Sequence, residues 1–200
     1  RLTGPGGISV LNTFNWGGVN PVDWLNDGIV ENGAKITLQT NSHGYISGYS
    51  EYYRLNDSTL ENHGILEPRA GDTYAWVVLS NGVIDNYGTF AANGSYIDSA
   101  NNSTIYNRTG ATLQASTYAM LYTAVLNDGT VNVINTELYI CRGDTQTGSF
   151  TGTGTGFLLF GYCYGGADVP TTFTFTETSS ITTPRVQFGY GNVVNIHGIY

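Results

Sequence analysis

The residues that can do acid–base chemistry are few and scattered along this chain. A glycosidase needs two carboxyl groups that converge on one face. Glu67 with Asp85, and Glu51 with Asp72, come nearest to that requirement. Neither pair is flanked by both a basic residue and a histidine at strand positions. The sequence therefore predicts no catalytic site, and a polysaccharide-degrading enzyme is kept as an alternative function.

The three histidines, His43, His63 and His197, do not have the spacing of metal ligands. No phosphate-binding loop or dinucleotide-binding fingerprint is present either, and we expect neither a metal nor an organic cofactor. His43 and His63 occupy similar positions within two polar clusters. They would either stack on each other or stand separately as solvated residues, and separate solvated residues are the simpler interpretation.

Tyrosine is the residue type best suited to binding in this sequence. The chain has 15 tyrosines, and an aromatic ring on a strand-rich surface can lie flat against a sugar ring. The densest group that looks exposed consists of Tyr45, Tyr49, Tyr52 and Tyr53, which we predict to bind ligand. The alternative is that these rings pack within sheets, where aromatic residues are favoured in any case.

Composition limits the partners of the protein. Seven basic residues stand against 15 acidic ones, giving a net charge of −8, so no basic surface is available to neutralise phosphates and nucleic acid is not expected. No apolar run approaches the roughly 20 residues of a membrane helix, and we expect no membrane partner. Charged residues make up 11% of the chain, and Thr, Ser, Asn and Gly supply most of its polarity. That composition favours an extracellular location.

The two cysteines also fit an extracellular protein. Cys141 and Cys163 are separated by about the length of one solenoid rung. Equivalent residues of consecutive rungs lie about 4.8 Å apart, within the Cα separation that a disulfide accepts. We predict a Cys141–Cys163 bridge, with two buried free thiols as the alternative.

Five N-x-Ser/Thr sequons predict that the protein is a glycoprotein if it is secreted by a eukaryote. A chain this rich in Asn, Ser and Thr also produces such sequons by chance. The candidate positions are Asn56, Asn93, Asn101, Asn102 and Asn107.

The elements that must position these residues are indicated by an internal repeat. Six times a small polar cluster closes on Gly or Thr and is followed at once by β-prone residues, at intervals of 16 to 25 residues. Polar corners followed by strands at this period are typical of a solenoid, whose coils bury their apolar faces on their neighbours. The six units are 26–30, 42–46, 62–66, 81–84, 103–106 and 127–131.

The solenoid is expected to span residues 25–200. Residues 1–24 predict an irregular N-terminal cap over the open edge of the first rung. Over 141–200 the pattern loosens, which indicates either further rungs or the start of a small β-sandwich. No segment keeps a helical period, and the fold class is therefore all-β, with about seven or eight rungs.

Several short motifs follow one another at 127–131, Cys141, 152–156, 172–175, 179–181 and 192–198. Together they resemble the N-terminal domain of fungal hyphally regulated cell-wall proteins, a family of yeast surface adhesins. The resemblance implies a right-handed parallel β-helix held at the end of a glycosylated stalk on the cell wall, with adhesion or wall structure as its role.

These observations lead to three functional expectations. The first is a secreted, non-catalytic domain of the cell surface or cell wall that binds glycans or host or abiotic surfaces. The second is a structural subunit of an extracellular filament or matrix, which associates with itself through the solenoid ends. The third is the polysaccharide-degrading enzyme considered above.

Overall fold

A computed structural model describes residues 1–16, 28–46, 52–68, 75–100, 102–161, 171–189 and 191–200. Within these ranges the regular structure consists of strands, and every strand pairing recorded is parallel. A typical coil runs through three short strands, one on each of three faces, and stacks on the next coil. The predicted all-β solenoid is confirmed.

The first face and most of the second form one 14-stranded sheet. The strands of the first face are β1 (Leu2–Thr3), β4 (Ile29–Glu31), β7 (Tyr52–Asn56), β10 (Ala75–Ser80), β13 (Ser95–Ala100), β16 (Ala119–Asn127), β18 (Glu137–Arg142), β21 (Phe157–Phe160) and β24 (Arg185–Phe188). Strand β16 pairs with both β13 and β14 (Thr104–Asn107), so it belongs to the first and the second face.

The second face is completed by a three-stranded sheet, β19–β22–β25. The strands of the second face are β2 (Gly7–Val10), β5 (Lys35–Leu38), β8 (Thr59–Asn62), β11 (Val83–Asn86), β14 (Thr104–Asn107), β19 (Thr145–Gln146), β22 (Thr172–Phe175) and β25 (Val193–Ile196).

The third face is an eight-stranded sheet in which the strands stack in chain order. They are β3 (Thr13–Trp16), β6 (His43–Ile46), β9 (Ile65–Pro68), β12 (Thr89–Ala91), β15 (Thr112–Ala115), β17 (Thr130–Ile134), β20 (Ser149–Thr153) and β23 (Ser180–Thr182).

No helix long and apolar enough to cross a membrane occurs in the part of the chain that the structure describes.

The first coil corrects the predicted N-terminal cap. Residues 2–16 form strands β1, β2 and β3, which pair in parallel with β4, β5 and β6. The short turns between these strands, at 4–6 and 11–12, supply corners, so this part of the chain is a coil of the solenoid. The rest of the predicted cap, 17–24, lies outside the described residues.

The C-terminal third continues the solenoid. Strands β18, β20 and β22 each pair in parallel with a strand of the following coil. Fully buried phenylalanines fill the core here and meet edge to face, with ring centroids of Phe150 and Phe160 at 5.3 Å and of Phe160 and Phe173 at 5.2 Å. The described strands over 141–200 therefore form further coils of the same stack.

A ladder of buried asparagines fixes the corner between the second and third faces. The Nδ2 atom of Asn62 donates to Oδ1 of Asn86, that of Asn86 to Asn107, and that of Asn107 to Asn127, at 2.7, 2.8 and 2.8 Å. Each of these amides also donates to a backbone carbonyl at the start of the third face. The ladder satisfies polar groups where the chain turns, because a turn cannot pair through a sheet.

Glycine occupies the corner positions that come after the ladder in the chain, because stacked corners approach one another closely there. A Cβ atom on Gly88 would lie 2.2 Å from the carbonyl oxygen of Gly64, and one on Gly148 would lie 2.2 Å from that of Gly129. No side chain fits such a space without a shift of backbone. The predicted polar-plus-glycine corner therefore has a steric cause at these positions.

Candidate functional site

An ordered set of large residues lies on the outer surface of the first face. Successive residues of a strand point to opposite sides of the sheet, so the partners of an outward residue in register also point outward. Five such positions follow one another along the stack: Trp76, Tyr96, Met120, Tyr139 and Leu159.

Four rings form what we call the aromatic row: Trp76, Tyr96, Tyr118 and Tyr139. The ring centroids are 5.8 Å apart between Trp76 and Tyr96, 6.0 Å between Tyr96 and Tyr118, and 5.3 Å between Tyr118 and Tyr139. These separations are typical of favourable aromatic contacts. Tyr118 precedes strand β16 and places its ring between those of its neighbours.

The two ends of the aromatic row differ in exposure. Trp76, Tyr96 and Tyr118 are half-buried and still reach solvent. Tyr139 is buried within an outer apolar cluster that is packed away from water. The other buried members of that cluster are Met120, Cys141, Phe157 and Leu159. The accessible aromatic surface therefore consists of Trp76, Tyr96 and Tyr118.

The electrostatics of this surface favour neutral phenols. Burial raises the pKa of the Tyr118 phenol well above its usual range, and the nearby Tyr96 adds to the shift. Burial also raises the pKa of Tyr122, with further contributions from Tyr96 and Asp98. The phenols of Tyr118 and Tyr122 therefore carry no charge at neutral pH.

Two carboxylates lie beside the rings. Asp98 is half-buried, and its Oδ1 atom accepts the backbone N–H of Ser99 at 2.7 Å. The Tyr139 hydroxyl donates to Oε2 of Glu137 at 2.7 Å. An aromatic surface bordered by hydrogen-bond acceptors can contact the apolar face of a sugar ring and accept from its hydroxyls.

The predicted tyrosine cluster does not form one surface in the described backbone. Tyr45 lies in strand β6 of the third face. Tyr52 and Tyr53 are consecutive positions of β7 on the first face, in register with Trp76 and Val77. Tyr49 lies outside the described residues, and the role of the four residues in binding stays a prediction.

Tyr45 belongs to a small arrangement with His43. Their rings stack with centroids 4.2 Å apart, and Tyr45 Oη lies 3.2 Å from Nδ1 of His43. Nε2 of His43 lies 2.8 Å from Oε1 of Glu67. His63 instead stacks on Tyr87, with ring centroids 4.8 Å apart. His43 and His63 therefore stack on different tyrosines and do not stack on each other.

Both histidines border an open groove of about 410 Å³ at the corner between the second and third faces. Its other walls are small polar residues, Ile65 and the glycine corners. The lining residues are Thr40, Asn41, Ser42, His43, His63, Gly64, Ile65, Gly88 and Thr89.

The acidic residues considered for catalysis do not converge. Glu67 lies on the third face and Asp85 on the second. Asp85 is engaged by Arg108, whose Nε atom lies 2.6 Å from Oδ1. Glu51 and Asp72 lie outside the described residues. Among the described residues, no group of three or more His, Cys, Asp or Glu side chains is placed to hold a metal ion.

The predicted glycosylation positions differ in how exposed their asparagine side chains are. Asn107 is fully buried, and its Nδ2 atom, to which a glycan would be attached, makes the two hydrogen bonds of the ladder. The folded chain leaves no room for a glycan there, which removes Asn107 from the candidates. Asn102 is exposed, Asn56 and Asn93 are half-buried, and Asn101 lies outside the described residues.

The cysteine prediction is only partly covered by the described chain. Cys141 is buried in strand β18, within the outer apolar cluster. Cys163 lies outside the described residues, and the Cys141–Cys163 bridge stays a prediction.

Comparison with known proteins found no matching family model, no similar curated protein and no similar solved structure.

Proposed function

We propose that this chain is a non-catalytic binding domain of a secreted protein of the cell surface or cell wall, and that it binds glycans. The observation that carries the proposal is the aromatic row on the first face, with rings in contact from Trp76 to Tyr139. Adhesion to cells or other surfaces would follow from contact between this row and surface carbohydrate.

The physical argument depends on how the rings are held. Trp76 and Tyr96 belong to strands of a continuous sheet, so their backbones are fixed before any ligand arrives. A rigid platform loses little conformational entropy on binding. The coils repeat at about 4.8 Å, and an extended glycan can therefore cross several rings in succession.

The acidic balance of the chain agrees with this proposal. A net charge of −8 disfavours anionic ligands, and the two carboxylates beside the aromatic row, Asp98 and Glu137, are suited to accept hydrogen bonds from hydroxyl groups. Neutral glycans are therefore the preferred class.

The test compares two double variants of the purified domain on a glycan array and in a whole-cell binding assay. Trp76→Ala/Tyr96→Ala removes two rings of the aromatic row. Tyr87→Ala/Tyr106→Ala removes one ring from strand β14 of the second face and one from the corner that follows strand β11, as a control away from the aromatic row. We expect the first variant to lose roughly tenfold or more in affinity, because a central aromatic contact contributes on the order of 1–2 kcal/mol, and the control to bind as the parent does.

Three outcomes contradict the proposal. The parent domain would bind no glycan and no cell at any concentration, or both variants would lose binding equally, or the first variant would bind as well as the parent. Circular dichroism and the urea midpoint of each variant show whether a loss of binding results from unfolding.

The predicted disulfide fits the secreted location. Ile140 is in register with Phe160, so Cys141 stands beside Gly161, and Cys163 is only two residues further along the chain. Two residues span at most about 7 Å, which allows the Cα separation of roughly 4.4–6.8 Å that a disulfide needs. A bridge of this kind persists in an oxidising compartment.

A second candidate function is a structural subunit of an extracellular filament or matrix, in which copies of the solenoid associate end to end. Ile8 of strand β2 is in register with the buried Ile36 and yet is 42% exposed. Val186 and Ile196, in the last strands, are 42% and 45% exposed. Parallel strands run in the same direction at both ends, which permits head-to-tail stacking of copies. Light scattering over a range of concentrations, with Val186→Lys as the variant, tests this role.

A further inference from the structure

The outer surface of the third face carries two rows of neutral polar side chains in register, which we call the hydroxyl rows. The first row extends over strands β12, β15, β17, β20 and β23, and the second over β15, β17, β20 and β23, because the position of β12 in register with the second row is Ala91. The first row is Thr89, Thr112, Thr130, Ser149 and Ser180. The second row is Gln114, Asn132, Thr151 and Thr182.

The hydroxyl rows are accessible and firmly supported. Their members are half-buried or exposed, whereas the inward residues between them are buried. The supporting residues are Phe90, Leu113, Val131, Phe150 and Ile181. This face is therefore backed by the hydrophobic core along its length.

The side chains of the rows are also restricted in orientation. Threonine is branched at Cβ, which limits its χ1 rotamers. Thr130 Oγ1 lies 3.1 Å from Ser149 Oγ, and Thr151 Oγ1 lies 3.3 Å from Asn132 Oδ1. Such neighbours hold the hydroxyl groups in a fixed array before any contact is made.

Charge is absent from the outward positions of these five strands, all of which lie in the described chain. Aromatic rings are absent from the same positions. The earlier strands of this face differ, because β6 and β9 carry His43, Tyr45 and Glu67. The third face therefore changes from a charged and aromatic surface to a neutral hydroxyl surface at Thr89.

We propose that the hydroxyl rows bind ice. Neighbouring strands are about 4.8 Å apart and alternate residues of a strand about 6.7 Å apart, so the rows form a two-dimensional lattice of hydroxyl and amide groups. A single neutral hydroxyl gains little on leaving water. Many such groups held in one array bind well only to a rigid partner that engages them together.

Ice fits these requirements better than a dissolved ligand does. Its surface is a periodic, uncharged lattice of water molecules that both donate and accept hydrogen bonds, with a repeat similar to that of the stacked strands. A charged side chain would keep its own hydration shell and disturb that match. This activity is independent of the aromatic row, which lies on a different face.

The experiment measures thermal hysteresis and partition into a growing ice front for the whole chain and two variants. Thr130→Arg places a long charged side chain in the middle of the first row. Thr104→Arg places the same side chain at an outward position of strand β14 on the second face, as a matched control. We expect the parent chain and the Thr104→Arg control to enter ice and to show thermal hysteresis. Thr130→Arg is expected to lose both.

Thr130→Val serves as a second variant if the arginine disturbs folding, since it removes one hydroxyl and keeps the shape of the side chain. It is expected to reduce the hysteresis without a change in the circular dichroism spectrum. The proposal is overturned if the parent chain is excluded from ice and shows no hysteresis, or if the two arginine variants behave alike. Retention of the parent by an insoluble polysaccharide, with no effect on ice, would also overturn it.

Discussion

Replacement of Asn107 by alanine removes the third amide of the buried ladder. In the folded chain the Asn107 Nδ2 atom donates to Asn127 Oδ1 at 2.8 Å and to the carbonyl oxygen of Thr130 at 3.0 Å. Its Oδ1 atom accepts from Asn86 Nδ2 at 2.8 Å. Asn107→Ala therefore leaves three groups without this partner in a region closed to water.

The expected loss of stability follows from these three groups. A buried polar group that loses its partner costs about 1–3 kcal/mol. The Asn86 amide keeps its bond to the carbonyl of Thr112, which softens the loss at that position. We therefore expect Asn107→Ala to lower the free energy of unfolding by about 3–5 kcal/mol, a large share of the roughly 5–15 kcal/mol of a typical domain.

Equilibrium unfolding in urea, followed by circular dichroism, measures this loss. Asn102→Ala is the matched control, because Asn102 is exposed and belongs to a neighbouring sequon. A substitution at such a position usually changes stability by no more than about 0.5 kcal/mol. If Asn107→Ala is no more destabilising than Asn102→Ala, the ladder does not stabilise the corner as argued here.

Three further predictions concern the corner, the surface charges and the cysteines. Gly88→Ala should destabilise the chain strongly in urea, because the new Cβ atom would lie 2.2 Å from the carbonyl oxygen of Gly64; an unchanged midpoint would contradict the close approach. The hydrogen bond from Lys35 lowers the pKa of Glu61 below 4.5, so its contribution to stability is present above that pH and is lost as the pH falls through the folded pKa. Glu61→Gln should therefore flatten the dependence of the urea midpoint on pH below about 4.5, and an equally steep dependence would refute this. Thiol titration of the unfolded, unreduced protein should detect no free thiol, and Cys141→Ser should expose one; free thiols in the parent would rule out the bridge.

The sequence indicated the solenoid through its corners, although its six units do not all mark the same corner and one of them includes a strand glycine. Gly64 and Gly129 stand at the same corner, as the repeat requires. Gly44, in contrast, lies within strand β6, where a Cβ atom would meet Leu38 Cδ1 at 2.5 Å. Asn81 lies at a different corner, between strands β10 and β11. The irregular spacing of the six predicted units arises because they mark different corners.

The asparagine ladder shows the length of each coil, which the predicted units did not show. Bonded pairs along it are separated by 24, 21 and 20 residues. The interval varies because the loops at the other corners differ in length while the stacked corner stays in register. A search for a constant period cannot recover such a repeat.

The sequence by itself determined the fold class, because glycine and asparagine at tight corners and β-prone residues between them leave few other ways to bury apolar side chains. It also determined the acidic, weakly charged character of the surface. Only the tertiary structure decided which side chains become neighbours, bringing Trp76 beside Tyr96 and Thr112 beside Thr130, and placing the Asn107 sequon in the core. The reason is physical: these neighbours lie on successive coils, and stacking sets their register through backbone hydrogen bonds that the linear spacing does not encode.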